Sequence, residues 1–330
     1  MKIAVYEVRE DEKQDLACLA QSLAVELRLF AEVPCAANAA FADGCEGVSI
    51  LGQGRIDRAL LERWRSGGVQ CLSTRTIGYN HIDLAAAAAL GIRVCNAAYD
   101  PNGVADFTVM MLLMCLRHYK QAMWRGQVND FSLGGLQGRE MKDLTVGIVG
   151  AGRIGTQVIR NLSGFGCKIL VCGRHISEEV ARLAEPVSWE ELLARADAIS
   201  LHVPLTDANY HMINEATIAK MKDGVILINC SRGELADNEA LVQGIESEKI
   251  GALGMDTCEG DSGIIHEDHR VDILANRDWF YLHQFRNVIM TQHMAFYTDA
   301  AVRSMVDCGI RGLVQMATGQ PCRTELHPAQ

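Results

Sequence analysis

The chain has no long apolar run, no paired-cysteine motif, no excess of positive charge, no Pro/Gly/Ser-rich linker and no internal repeat. Each absence excludes something. The longest apolar stretch, Phe107 to Leu116, stops at Arg117-His118; it is too short to cross a bilayer and reads as a buried helix. The opening residues MKIAVYEVRE carry charge by the seventh position and form no signal-peptide core, so a cytoplasmic protein is expected, with no membrane partner. Twelve cysteines are scattered without a CxxC pair, several of them (Cys71, Cys115, Cys172) inside apolar runs. Reduced, buried thiols are expected rather than disulfides. A formal net charge of -10 argues against a nucleic-acid partner and suits a soluble acidic enzyme. His266-Glu267-Asp268-His269 has metal-ligand residue types but lies in a run of charges; it reads as surface or structural, and no metal site is expected.

What is present is alternation. At 330 residues the chain fits two domains. Short β-rich runs at Lys2–Val8, Gly47–Leu51, Gln70–Ser73 and Arg93–Asn96 are separated in part by helical patterns at Asp57–Arg65 and Leu84–Leu90. A long helix is expected over about Val104 to Met123. Further strands are expected at Ala198–Val203, Val225–Asn229, Ala252–Asp256 and Val288–Thr291, with a last helix over about Thr298 to Ala317. Alternating βαβα implies parallel sheets covered on both faces.

The most informative stretch is 144–174, LTVGIVGAGRIGTQVIRNLSGFGCKILVCGR. A strand ends in Gly150-Ala151-Gly152-Arg153-Ile154-Gly155, a helical pattern follows, and a second strand runs Lys168–Cys172. In this βαβ context GxGxxG points to a dinucleotide: Gly150 for the tight turn, Gly152 for approach of the pyrophosphate, Gly155 for close helix–strand packing. The helix N-terminus offers N–H groups and partial positive charge to the phosphates. Since this fingerprint begins near residue 145, a complete α/β unit precedes the cofactor domain, and the final helix can return to that first unit. A cleft between two such domains is the default ligand site.

In open α/β sheets the working residues lie just beyond the carboxyl ends of the strands. Those positions hold Cys230-Ser231-Arg232-Gly233, then Asp256 with Glu259 and Asp261, then Gln292-His293. An Arg, a carboxylate and a His suit hydride transfer to a 2-oxo acid. Arg232 can fork onto the substrate carboxylate or polarise its carbonyl. His293 can supply the proton to the alkoxide, with a nearby carboxylate orienting the imidazole and raising its pKa. A surface salt bridge for the Arg and a structural role for the His are the plain alternatives, and His202 is a rival to His293.

With these residues in view, the chain resembles the D-isomer-specific 2-hydroxyacid dehydrogenase family, nearest the branch of D-lactate, (R)-phenyllactate and (R)-2-hydroxyisocaproate dehydrogenases. The likeness runs through STRTIGYNHID (73–83), NAAYDPNGVADFT (96–108), GIVGAGRIG (147–155), LHVPLTDANYHMI (201–213), INCSRGELAD (228–237), GMDTCEGD (254–261) and TQHMAFYTDAAV (291–302). The resemblance implies an α/β fold of two Rossmann-like, doubly wound domains with a cleft between them. One is a flavodoxin-like substrate domain (1–102 plus 297–330), the other an NAD(P)-binding Rossmann domain (103–296). It implies Arg232 as substrate-binding arginine, His293 as acid/base and Asp261 as the histidine's partner. Gly150, Gly152, Arg153, Ile154, Gly155, His202, Val203, Pro204, Asn209, Cys230, Ser231 and Asp256 would border the cofactor, Asp256 facing the nicotinamide amide. The N–H groups of Ile77 and Gly78 would hold the substrate carboxylate, and Tyr99, Phe296 and Tyr297 would line the pocket or simply fill core.

Three departures stand out. The family's histidine partner is usually Glu, here Asp261, one methylene shorter, with Glu259 as the alternative. Gln292 stands where the family usually has Pro before its histidine. At the end of the second strand, where NAD-specific members carry Asp, this chain has Gly173-Arg174, which leans towards NADP(H) without forbidding NAD(H). The expected activity is interconversion of 2-oxo acids and (R)-2-hydroxy acids by a homodimer, with the Met-rich helix 104–123 a candidate interface. The alternatives are hydroxypyruvate, phosphoglycerate or phosphite oxidation on the same scaffold, or a non-catalytic nicotinamide-sensing protein like the corepressors of this fold.

Overall fold

A computed structural model describes residues 1–328. The chain divides into two compact units, Met1–Asp100 with the segment from Tyr297 onward, and Pro101–Phe296. The first unit is built on the parallel strands β1 (Lys2–Val5), β2 (Glu26–Leu29), β3 (Gly47–Ile50), β4 (Cys71–Thr74) and β5 (Arg93–Cys95), in the order β5-β4-β3-β1-β2. The second holds β6 (Thr145–Val149), β7 (Lys168–Cys172), β8 (Glu185–Pro186), β9 (Ala198–Leu201), β10 (Val225–Asn229), β11 (Ile250–Met255) and β12 (Val288–Met290), in the order β12-β11-β10-β9-β6-β7-β8, every pair parallel. A short β13 (Glu325–Leu326) pairs antiparallel with β5. These are the flavodoxin-like and Rossmann strand orders, each reversing direction at a switch point beside its first strand.

Both sheets are parallel, so both faces must be covered, and the strands read as continuous apolar runs. Every residue of β3, β4, β9 and β10 is buried. Between β3 and β4 the buried hydroxyls pair, Ser73 Oγ donating to Ser49 Oγ at 3.0 Å. The helix Asp299–Ala317 returns to the first unit, burying Val306, Ile310, Leu313 and Met316 against Ile3, Val5, Cys71 and Cys95. Its start is set by Thr298, whose hydroxyl accepts from Ala301 N–H at 3.2 Å.

The single helix expected from Val104 to Met123 is corrected: there are two, Asn102–Leu116 and Tyr119–Gln127. His118 takes a left-handed φ of 50°. The segment Gln137–Arg139 returns to the broken end, where Arg139 N–H donates to Leu116 O at 3.2 Å and Gln137 O meets His118 Nε2 at 3.2 Å. The last carbonyls of the first helix are thus satisfied from a distant segment, which no local pattern announces. The strands β2, β8 and β13 were also not anticipated; β8 and β13 are two residues each, and β2 is a largely uncovered edge. Among the described residues no helix is long and apolar enough to cross a membrane.

Candidate active site

The carboxyl ends of β6, β9, β10, β11 and β12 lie side by side in one sheet, and each delivers part of the site. Gly150 ends β6 with φ +100°; a Cβ there would lie 2.4 Å from His202 O, and one at Gly155 would lie 2.0 Å from Gly150 O. Only glycine permits this closure of strand, turn and helix. At Gly152, by contrast, a Cβ would meet no atom within 4 Å. Gly152 is the N-cap of the helix Arg153–Ser163 and offers no side chain to cap it. An open approach to a helix N-terminus that no side chain caps fits a dinucleotide pyrophosphate.

Gly173 and Arg174 follow β7, both exposed. Gly173 lies against the glycine turn, its hypothetical Cβ 3.4 Å from Ala151 N. Gly173 itself brings no carboxylate here, although the charge of Glu190 reaches Cys172, the last residue of β7. His202 follows β9, and its Nε2 is 2.9 Å from Ser200 Oγ. Burial lowers its pKa to about 4. The ring is therefore neutral, and His202 stands behind the glycine turn, where Gly150 and Gly155 pack against it. Val203 and Pro204 continue this edge, and Ser231 Oγ donates to Val203 O at 2.6 Å. Asn209 shapes the same loop, accepting from Thr206 N–H at 2.7 Å and donating to Pro204 O at 2.8 Å.

The turn after β10 is tied by Asn229, which sequence reasoning passed over. Its Oδ1 accepts from Ser231 N–H at 3.0 Å and its Nδ2 donates to Arg232 O at 2.8 Å. Cys230 is an inert thiol, pushed up by burial. Gly233 packs on the next strand end, with a hypothetical Cβ 2.2 Å from the carbonyl carbon of Cys258. Arg232, half-buried, bonds through Nη1 only to its neighbour's carbonyl, Ser231 O, at 2.7 Å.

Asp256, 1% exposed at the end of β11, laces the loop that carries His293. Its Oδ1 accepts from Thr291 Oγ1 at 2.6 Å and Met294 N–H at 2.8 Å, and its Oδ2 from Ala295 N–H at 2.8 Å. Three of its four lone-pair sites are thus used within the protein. His293 sits in this loop with φ 53°. Its ring forms no hydrogen bond with Asp261 or Glu259. Glu259 is engaged elsewhere, by Tyr210 OH and His211 Nε2, each at 2.8 Å. Asp261 accepts from Cys258 N–H at 3.3 Å, and burial raises its pKa.

The expected upward shift of His293 is likewise corrected. Its pKa is lowered to about 4, first by burial; the Asp256 charge opposes this, and Arg232 and His266 add to it. Arg232 and His293 are therefore near enough to feel one another's charge. His266, exposed in keeping with its reading from sequence as surface or structural, also stands beside the site: its Nε2 is 3.2 Å from His293 O, and the rings of His266, His293 and Phe296 lie 6.3–6.4 Å apart.

In the other unit, Ile77 and Gly78 follow β4. Their carbonyls are taken by Asn96 Nδ2 at 2.8 Å and Thr76 Oγ1 at 2.7 Å. Their N–H groups donate to no partner among the described residues. Tyr99 is half-buried. Phe296 and Tyr297, adjacent in sequence, fall in different units: Phe296 borders His293, whereas the Tyr297 ring lies 5.1 Å from the guanidinium carbon of Arg9.

Comparison with known proteins agrees with this arrangement. Residues 109–295 match the model of the D-isomer specific 2-hydroxyacid dehydrogenase NAD binding domain. An aromatic 2-oxoacid reductase of Clostridium sporogenes is 40% identical over 328 residues, covering 98% of this chain and 99% of that protein. The D-lactate dehydrogenase of Escherichia coli is 36% identical over 328 residues, covering 99% and 100%. Among solved structures, the Lactobacillus jensenii D-lactate dehydrogenase with NAD+ superposes with a TM-score of 0.85 at 30% identity, covering 99% of each chain. A glycine turn opening on a helix that no side chain caps, with an arginine and a histidine at strand ends of the same sheet, thus comes with likeness along the whole length, and the chain belongs to the D-isomer-specific 2-hydroxyacid dehydrogenases.

Proposed function

We propose that Arg232 and His293 carry the reduction of 2-oxo acids to (R)-2-hydroxy acids in this enzyme. The observation that supports it most is that both side chains stand at carboxyl ends of the same sheet, electrostatically coupled, in line with the glycine turn. When bound, a nicotinamide dinucleotide supplies the hydride. Arg232 orients the substrate through carboxylate or carbonyl and stabilises the developing alkoxide. His293 delivers the proton to that alkoxide and takes it back in the reverse direction. Asp256 fixes the loop on which His293 stands, and the N–H groups of Ile77 and Gly78 receive the substrate carboxylate. Tyr99, Phe296 and Tyr297 border the substrate. Asp261, whose pKa burial raises, is the carboxylate that the family pattern pairs with His293, and the two form no hydrogen bond in this structure.

The exposed Gly173-Arg174 end of β7 supports NADP(H) as the preferred cofactor. A 2′-phosphate would meet the guanidinium of Arg174 there, with Gly173 in place of the Asp of NAD-specific members. The helix face and following segment that expose Met110, Tyr119, Met123, Trp124, Phe131 and Leu133 support a homodimer. Twelve free cysteines support a reducing, cytoplasmic location.

The test is a panel of 2-oxo acids (pyruvate, 4-methyl-2-oxopentanoate, phenylpyruvate) with NADH and NADPH in parallel. Turnover of at least one acid is expected, with kcat/KM higher for NADPH. Arg232→Ala should lose roughly 3–5 kcal/mol of transition-state stabilisation. No turnover on any acid, or near-wild-type kcat/KM for the variant, overturns the assignment.

A further inference from the structure

The chemistry above leaves two buried carboxylates without a role, Glu12, which pairs with Arg75, and Glu7, which has no cationic partner at its oxygens. Glu7 is 4% exposed and takes a left-handed φ of 57°, a conformation rare for a residue with a side chain. Its carboxylate accepts four consecutive backbone N–H groups of the turn after β3. Leu51 and Gly52 donate to Oε2, the latter at 2.8 Å; Gln53 and Gly54 donate to Oε1 at 2.8 and 3.1 Å. One side chain thus holds every donor of that turn, and the N–H dipoles replace the water the buried anion has lost.

The backbone of Glu7 is held from the other side. Arg75 Nη2 donates to Tyr6 O at 3.0 Å and Glu7 O at 3.2 Å, while Arg75 Nε pairs with Glu12 at 2.8 Å, both side chains wholly buried. Arg75 ends β4 and leads directly into Thr76–Gly78. The turn held by Glu7 also touches that segment: a Cβ at Gly52 would lie 3.0 Å from His81 Cε1 and 3.4 Å from Thr76 Cγ2. Within the turn, Leu51 and Gly54 are buried and Gln53 is exposed.

We propose that Glu7 is a positioning residue for substrate selection. It clamps the Leu51–Gly54 turn against Thr76–Gly78, and that turn forms the wall met by the side chain of the 2-oxo acid. This rests on the functional reading that gives Ile77 and Gly78 the substrate carboxylate. The carboxylate of a 2-oxo acid is two carbons from its side chain, so backbone packed on the carboxylate site also faces that side chain. Glu7 acts through the turn and touches no reacting atom.

Glu7→Gln tests it. The amide keeps the shape but turns one oxygen into a donor facing two N–H groups, so two of the four bonds are lost. In the folded variant the KM for 2-oxo acids should rise about tenfold. The ratio of kcat/KM between phenylpyruvate and pyruvate should shift about fivefold or more, while nicotinamide affinity, read by fluorescence titration, stays unchanged. If Glu7→Gln does not fold, Glu7→Ala with added formate replaces it, and formate should restore the wild-type KM and ratio by occupying the four-donor turn. A merely structural Glu7 would lower the melting temperature and leave KM and the ratio unchanged, which overturns the proposal. An equal loss of nicotinamide affinity, or no effect of formate on a folded Glu7→Ala, overturns it too. Wild-type inactivity on every 2-oxo acid removes the functional reading itself, and this inference falls with it.

Discussion

His293 is held neutral in the free enzyme, its pKa lowered to about 4 by burial and by the nearby positive charge of Arg232. Reduction needs the imidazolium. The proton must therefore be taken up from solvent as the substrate binds, its carboxylate offsetting Arg232 and raising the histidine's pKa. Two outcomes follow from the sign. Binding of oxamate to the enzyme–nicotinamide complex should take up a proton, visible as calorimetric heats that vary with buffer ionisation enthalpy. Moreover, kcat/KM for reduction should fall as pH rises from about 5 to about 8, while that for oxidation does not. A flat reduction profile would assign the proton to another group. The same residue depends on Asp256, which leaves two N–H groups and a hydroxyl unpaired if removed. Asp256→Ala should cost roughly 2–4 kcal/mol of stability by denaturant titration, and turnover should drop further than the loss of folded protein accounts for. Arg232, His293 and Asp256 could be read from strand-end positions. The orientation of the ring could not, because His266 and Glu259 were placed by a loop whose path no periodicity encodes.

The βαβ element at 145–172 separates two kinds of glycine. Gly150 and Gly155 are required by packing: any Cβ would strike backbone at 2.4 or 2.0 Å. Gly152 faces open space, so its requirement is for a ligand. Gly152→Ala should fold with an unchanged melting temperature and bind NADPH more weakly by about tenfold or more, whereas Gly150→Ala should fail in both respects. Equal dinucleotide affinity in a folded Gly152→Ala would place the pyrophosphate elsewhere. The interrupted helix has a consequence as well. Ending at Leu116 and restarting at Tyr119 sets Lys120 where its Nζ donates to the carbonyls of His283, Phe285 and Val288 at 2.7, 2.9 and 2.7 Å. That anchors the entry to β12 and hence the loop of His293. An apolar run from Phe107 to Leu116 marks a buried helix well, but its end depends on a segment twenty residues onward.

For the whole molecule, three histidines bind protons more weakly when folded than when unfolded: His202 and His293, each lowered to about 4, and His283, lowered by burial and by Lys120. Their contribution is complete above the unfolded pKa of about 6.5 and is lost as pH falls towards 4, since the unfolded chain then binds more protons. Denaturation midpoints should decline between about pH 6.5 and about pH 4, at up to ~1.4 kcal/mol per pH unit for each of His202 and His293, and His202→Asn should lessen the slope. A midpoint that rises over this range would contradict the burial of His202 and His293. The sequence by itself determined the alternation of strands and helices, the two doubly wound sheets, the glycine turn and the strand ends that bear arginine, carboxylate and histidine. Those features follow from local sterics and from apolar periods of one element. Tertiary structure alone decided which carboxylates remain available near His293, why its imidazole is neutral, where the long helix breaks and that Glu7 reaches across to the turn after β3. Each of these depends on groups far apart in the chain meeting where water is excluded, and desolvation at such a meeting has no signature in the residues taken one segment at a time.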